Sequence, residues 1–121
     1  MEHSIEVFSG KALVFHSSGK WLYPLFDLER FLATADYDPT NLIVKDKIIG
    51  RAAALLLIHL GIGCVVAVIM SKPGKDALEK YGIKYKYDSL IDRIACRTEE
   101  LLIGEDDPKT AYKMLKQRAG L

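Results

Sequence analysis

The longest apolar run of the chain lies in its middle. Residues Ala52 to Met70 carry no formal charge unless His59 takes a proton, and charged residues flank the run on both sides. Its length approaches the roughly 20 residues that a membrane-spanning helix needs. Gly61-Ile62-Gly63 interrupts it, because two glycines in three residues end a helix and turn the chain. The pattern therefore predicts a buried helix, Ile48 to Leu60, followed by a buried strand, Cys64 to Met70, and no membrane span.

A short strand in front of this helix completes a strand–helix–strand unit. Asn41 to Val44 forms that strand, and Lys45-Asp46-Lys47 follows at its carboxyl end. Because strands joined by a right-handed crossover run parallel, the turn Ser71 to Lys75 should emerge at the same sheet edge as Asp46. Ligand sites of α/β proteins lie at this edge, so the pattern predicts a site there.

The remaining elements follow from turn residues and from the spacing of apolar positions. Two short apolar runs separated by Ser9-Gly10-Lys11 predict a β-hairpin. Helices are predicted from Leu25 and over Lys75 to Tyr81, and a strand over Lys84 to Tyr87. The segment Ser89 to Cys96 is predicted as a helix or a turn. A final helix is predicted over Lys109 to Arg118, and Asp107-Pro108 in front of it is a favourable helix start. The stretch 97–105 is ambiguous. This order predicts an α/β fold, a three-layer α/β/α sandwich with a mixed five-stranded sheet.

Size and composition restrict the classes of function. The 121 residues suit one domain spanning 1–121, with 50% apolar and 27% charged residues. The net charge of +1 gives no basis for predicting nucleic acid or an anionic membrane as a partner. No basic and apolar leader follows Met1, so we expect a cytoplasmic protein in which Cys64 and Cys96 are reduced thiols.

Asp46 and Lys47 are the first candidate site residues. In one interpretation Asp46 presents a carboxylate to a ligand, while Lys47 and the N–H groups of the following helix bind an anion. In the other, Asp46 is simply the N-cap of that helix. Both interpretations fit the pattern, although a cap does not explain the lysines on either side of Asp46.

Gly50 and Arg51 follow in the first turn of the same predicted helix. Glycine inside a helix is unfavourable, which indicates close approach of a ligand or tight packing of the helix on the sheet. Arg51 could bind a phosphate or carboxylate, or extend its side chain to water. Ser71 and Lys72 would form the opposite lip of the site.

Several segments resemble a known family along nearly the whole chain. They are the hairpin with its Gly10-Lys11 turn, Tyr23-Pro24-Leu25, Asp46 to Leu55, Val66 to Ser71, Ala77 to Ile83, Ile94 to Arg97 and Asp106-Asp107-Pro108. The chain is similar in these segments to the DUF1893 family of uncharacterised prokaryotic proteins. The resemblance implies a cytidine-deaminase-like fold.

The zinc motif of the deaminases of that fold is absent from this chain. Those enzymes place His or Cys, then Ala-Glu, at the start of the first central helix, and Pro-Cys-x-x-Cys after the next strand. Here Pro73 matches the proline, but Gly74 and Ala77 stand in place of the cysteines. We therefore expect no metal and no cofactor, and no zinc-dependent deamination.

The expected function is binding of a nucleoside- or nucleotide-derived small molecule, including an ADP-ribose-like one, near Asp46. Whether the protein is an enzyme stays open. If it is, Asp46 would be the catalytic carboxylate of a metal-independent reaction, for example attack on the anomeric carbon of a ribose. The alternative is a non-catalytic interaction or scaffold protein that kept the fold. Self-association also stays open, through a sheet edge or through Trp21-Leu22-Tyr23.

Overall fold

A computed structural model describes residues 2–102 and 104–121 of the chain, without the side chain of Arg97. The strands are β1 (Ile5–Ser9), β2 (Ala12–Ser17), β3 (Leu42–Ile49), β4 (Cys64–Ser71) and β5 (Lys84–Ile91). The helices are α1 (Tyr23–Thr34), α2 (Arg51–His59), α3 (Lys72–Lys80), α4 (Arg97–Leu101) and α5 (Pro108–Arg118).

One mixed sheet contains all five strands in the order β2-β1-β3-β4-β5. The hairpin strand β1 is antiparallel to both of its neighbours, β2 and β3. The pairs β3–β4 and β4–β5 are parallel. The predicted α/β fold, the opening hairpin and the mixed five-stranded sheet are thus confirmed.

The helices that pack on the sheet lie on a single face of it. One row of cross-strand neighbours on this face consists of Phe15, Val7, Val44, Val65 and Tyr85. Phe15 packs on Phe31 of α1, with ring centroids 5.0 Å apart, and the Tyr85 hydroxyl donates to Glu79 of α3. The next row points to the opposite face, and its two lysines, Lys45 and Lys86, are exposed.

The prediction of helices on both faces of the sheet is therefore wrong for the described residues. The connections β2-α1-β3, β3-α2-β4 and β4-α3-β5 all advance in the same direction across the sheet. Right-handed crossovers that advance in one direction place their helices on one face. Hydrophobic periodicity cannot reveal this, because it depends on the order of the strands.

The apolar run 52–70 divides into α2 and β4. Every residue of α2 from Arg51 to Leu57 is buried, and both α3 and α5 pack against this helix. Gly61 adopts a φ of +81°, and a Cβ at Gly63 would lie 2.0 Å from the carbonyl oxygen of Thr40. Within the described ranges, no helix is long and apolar enough to cross a membrane. A cytoplasmic location stays a prediction.

The boundary between β3 and α2 differs from the prediction. The strand was expected to end at Val44 and the helix to begin at Ile48, but β3 continues to Ile49 and α2 begins at Arg51. Ile48 and Ile49 extend the strand because they pair with Ile69 and Met70 of β4. Asp46 and Lys47 consequently lie inside the strand.

Two later boundaries also differ. The predicted turn 71–74 is the capped first turn of α3, in which the Ser71 hydroxyl accepts a hydrogen bond from the N–H group of Gly74. The predicted helix or turn beginning at Ser89 is wrong in its first part, because β5 continues to Ile91 beside β4. The predicted start of the last helix is confirmed, with Asp107 as the cap and Pro108 as the first residue.

Candidate functional site

A pocket of about 380 Å³ opens where β3 ends and α2 begins. Four segments form its walls: the β2–α1 loop, the end of β3, the first turn of α2 and the segment that leads into α4. The lining residues are Ser4, Gly19, Lys20, Trp21, Leu22, Asp46, Lys47, Ile48, Gly50, Ala52, Ala53, Ile94, Cys96, Thr98 and Glu99. The volume is in the range of small-molecule sites, and the position is the strand end at which α/β proteins bind ligands.

Asp46 is the half-buried carboxyl group of this pocket. It is paired with Ile5 of β1 and Ala67 of β4, on the face that the helices cover. Loss of hydration in these surroundings raises the pKa of Asp46 to about 7, against the opposing effect of hydrogen bonds from the backbone N–H groups of Ile48 and Lys47. The N-cap interpretation of Asp46 is wrong, because Gly50 is the N-cap of α2. Near neutral pH the carboxyl group can therefore donate or accept a hydrogen bond.

Trp21 lies at the mouth of the pocket in a strained backbone conformation. Its φ is +56°, in the left-handed region that a bulky side chain rarely adopts. Hydrogen bonds hold the loop on both sides of Trp21. The Ser4 hydroxyl donates to the carbonyl oxygen of Gly19 at 2.8 Å, and the N–H of Tyr23 donates to the carbonyl oxygen of Lys20 at 3.2 Å. Such strain persists where the surrounding structure enforces it, which is common at ligand sites. The indole stays 42% exposed beside the pocket.

Glu99 forms the inner end of the pocket and is only 1% exposed. Its carboxylate accepts hydrogen bonds from the Ser71 hydroxyl at 2.6 Å and from the N–H of Arg51, the first residue of α2, at 2.9 Å. A Cβ at Gly50 would lie 2.3 Å from Glu99 Oε2, so no larger residue fits there without displacing this carboxylate. Glu99 thus ties α4 to the starts of α2 and α3.

Three of the six predicted site residues meet in the pocket, namely Asp46, Lys47 and Gly50. Arg51 does not line the pocket, because its side chain binds other parts of the protein. Its guanidinium donates to the carbonyl groups of Glu105 and Pro73 and forms an ion pair with Asp106.

The predicted opposite lip of the site does not line the pocket either. Ser71 is fully buried beneath Glu99. Lys72 is exposed and forms an ion pair with Asp92, with Nζ and Oδ1 2.7 Å apart.

Sequence reasoning missed Lys20, Trp21 and Glu99 as pocket residues. Trp21 was considered only as part of an interaction surface, and Glu99 falls in the stretch that showed no clear periodicity. Cys96 also lines the pocket and lies outside any helix, although a helix or turn is predicted over Ser89 to Cys96. It is exposed, precedes α4 and lies with its sulfur 3.2 Å from the Thr98 hydroxyl. For Glu99, the sequence offers one signal, the glycine at position 50, which indicates that another group approaches the start of α2 closely.

The starts of α2 and α3 contact each other. A Cβ at Gly74 would be 2.9 Å from the backbone carbonyl group of Gly50, so the two helix starts are in contact. Among residues 2–102 and 104–121, no three His, Cys, Asp or Glu side chains form a group able to hold a metal ion. The carboxylate of Glu99 lies at this junction instead.

Comparisons with known proteins identify a family and a similar solved structure. The family model described as TM1506, domain of unknown function (DUF1893), matches residues 4–118. The chain is also similar to the crystal structure of a DUF1893 family protein from Thermotoga maritima, with 26% identity and a TM-score of 0.83, over 95% of this chain and 80% of that chain. The search of curated proteins gave no match. The region matched by the family model contains every residue that lines the pocket.

Proposed function

This chain belongs to the DUF1893 family, and we propose that its pocket binds a nucleoside- or nucleotide-derived small molecule. The observation that carries the proposal is the pairing, in one pocket of about 380 Å³, of a planar aromatic ring at the mouth with a half-buried carboxyl group inside. A nucleobase stacks on an indole ring, and base amino groups or ribose hydroxyls donate hydrogen bonds to a carboxylate.

The remaining pocket residues suit the other parts of such a ligand. Lys20, in the loop beside Trp21, contributes a cation to the pocket lining, which suits a phosphate group. Ile48, Ile94 and Leu22 supply apolar surface against which a base or ribose ring packs. Arg51 has no part in this proposal, because its guanidinium is bound within the protein.

We also propose that the fold is cytidine-deaminase-like. Its support is that the two segments which carry zinc ligands in those deaminases correspond here to the touching starts of α2 and α3. Glu99 contributes a carboxylate to that junction, and Gly74 and Ala77 contribute no metal ligand. The proposed ligand site lies beside this junction, at Asp46.

Tryptophan fluorescence offers a direct test, because Trp21 is the only tryptophan of the chain. We expect adenosine, AMP, ADP or ADP-ribose to change its emission in a saturable titration. At about pH 8, where Asp46 is mostly ionised, Asp46→Asn should weaken binding roughly ten- to a hundredfold, the usual value of a hydrogen bond to a charged group. Asp36→Asn, the same change at an exposed position outside the pocket, should leave binding unchanged.

The position of phosphate is tested in the same titration. Lys20→Ala should weaken AMP more than adenosine, whereas Lys11→Ala, at an exposed position outside the pocket, should affect neither. If none of these ligands changes the emission or the melting temperature of the wild-type protein, the proposal is wrong.

A further inference from the structure

The outer edge of β5 is an eight-residue strand edge with no neighbour among the described residues. Lys84, Lys86, Tyr87, Asp88 and Ser89 are all exposed along it. Such an edge presents backbone N–H and C=O groups that can pair with a further strand. The question is which strand the side chains of β5 fit.

A second copy of β5 can pair with the first only in certain registers. We consider antiparallel pairing about a two-fold axis normal to the sheet, which keeps each face of the sheet on the same side. Because directly opposed side chains of an antiparallel pair share a face, one residue must then lie opposite its own copy. Neighbouring pairs follow from the choice of that central residue.

The charges and the length of β5 together favour one of these registers. Centring on Lys86 or on Asp88 places like charges opposite each other, and centring on Tyr85 places Lys84 opposite Lys86. Centring on Ser89, Leu90 or Ile91 opposes no like charges either, but pairs at most five residues of each strand. Centring on Tyr87 pairs seven residues of each strand and places Lys86 opposite Asp88 of the second copy, and Asp88 opposite Lys86, with no like charges directly opposed. Opposite charges in directly facing positions stabilise a strand pair, and like charges destabilise it.

We infer that β5 is the interface of a homodimer in which the two sheets join edge to edge, with Tyr87 facing Tyr87 and Lys86 facing Asp88 of the second copy. Within the described part of the chain, neither Lys86 nor Asp88 forms an ion pair, so both charges are available. On the other face of the strand, the rings of Tyr85 and Tyr87 are nearly parallel, with centroids 6.3 Å apart. The second copy continues this aromatic row across the axis.

Charge reversal tests this register by sedimentation of the untagged protein over a range of micromolar concentrations. The wild type should be a dimer. Lys86→Asp and Asp88→Lys should each weaken dimerisation by about tenfold or more, because each turns two attractive contacts into repulsive ones. Lys113→Asp, with the same change of charge on exposed α5, is the control and should leave the dimer unchanged.

Recombination of the charges gives the decisive result. The double variant Lys86→Asp/Asp88→Lys should dimerise like the wild type. A mixture of the two single variants should form a heterodimer, because both pairs between positions 86 and 88 then bring an aspartate opposite a lysine. A monomeric wild type would overturn the inference, and so would a dimer that neither single substitution weakens or a mixture that stays monomeric.

Discussion

The carboxyl group of Asp46 lies among β1, β3 and β4 on the covered face of the sheet, where ionisation is unfavourable. Its pKa of about 7 in the folded protein exceeds the ordinary aspartate value of 3.8, so the folded state binds a proton more tightly than the unfolded state does. Stability therefore falls as the pH rises from about 4 to about 7, and the loss is complete above that range. A shift of this size corresponds to at most about 4 kcal/mol.

Asp46→Asn should consequently stabilise the protein in a pH-dependent manner. The amide stays neutral at every pH, so the gain in unfolding free energy over the wild type should be small at about pH 4 and approach about 4 kcal/mol at about pH 8. Urea unfolding at the two pH values measures the difference, with Asp36→Asn as the control. A gain that is equal at both pH values would contradict the raised pKa. Asp46→Asn should therefore raise stability while it weakens ligand binding, so a loss of binding in this variant cannot be attributed to unfolding.

Glu99 combines a charge with two hydrogen bonds, and substitutions separate these contributions. Glu99→Gln can keep both partners, because its oxygen accepts from the N–H of Arg51 and its amide donates to the Ser71 hydroxyl. We expect it to lower the free energy of unfolding by about 1 kcal/mol. Glu99→Ala leaves two buried donors without an acceptor and should cost roughly 2–5 kcal/mol. Chemical denaturation compares the two, and equal losses would contradict the role of the hydrogen bonds.

Part of the site could be predicted from residue types and strand order alone. Asp46, Lys47 and Gly50 were recognised because polar residues and a glycine follow a buried strand. Trp21 could not be recognised, because a left-handed backbone at a tryptophan is imposed by the hydrogen bonds of its loop. Glu99 was missed because its partners lie 28 and 48 positions away in the sequence.

At the scale of elements, the contact between α2 and α3 depends on glycine. Gly74→Ala should lower the free energy of unfolding by roughly 1–3 kcal/mol, because the added methyl group meets the backbone of Gly50 at 2.9 Å, and backbone atoms do not move cheaply. Gly104→Ala is the matched control. No atom lies within 4 Å of its added Cβ, so its effect should stay within about 0.5 kcal/mol. Thermal and urea unfolding measure both, and equal effects would contradict the close contact.

The elements themselves were largely predictable, but their ends were less so. The hairpin and the Asp107-Pro108 helix start carry local turn and cap signals, and they occur as predicted. The end of β3 carries no such signal, since apolar residues continue from Ile48 through α2. There the partner strand β4 decides the boundary, by pairing as far as Ile49.

At the scale of the whole molecule, the sheet order determines which face the helices cover, and no local pattern encodes that order. The sequence of β4 is apolar from Cys64 to Met70 and does not show which face of the sheet is buried, and the sequence of α2 predicts a helix buried on all sides. Its cover comes from the sheet, from α3 and from α5, where His59 stacks on Tyr112 with ring centroids 4.1 Å apart. A helix buried in this way does not require helices on both faces of the sheet.

The placement of α5 over α2 has a consequence during synthesis on the ribosome. All five strands and the first three helices have been made by the time Ile91 is added, yet the outer surface of α2 still lacks its cover. The nascent chain therefore exposes an apolar helix until Pro108 to Arg118 emerge from the exit tunnel. At translation rates of about 5–20 residues per second this interval lasts a few seconds, during which a chaperone can bind the chain and neighbouring chains can aggregate with it.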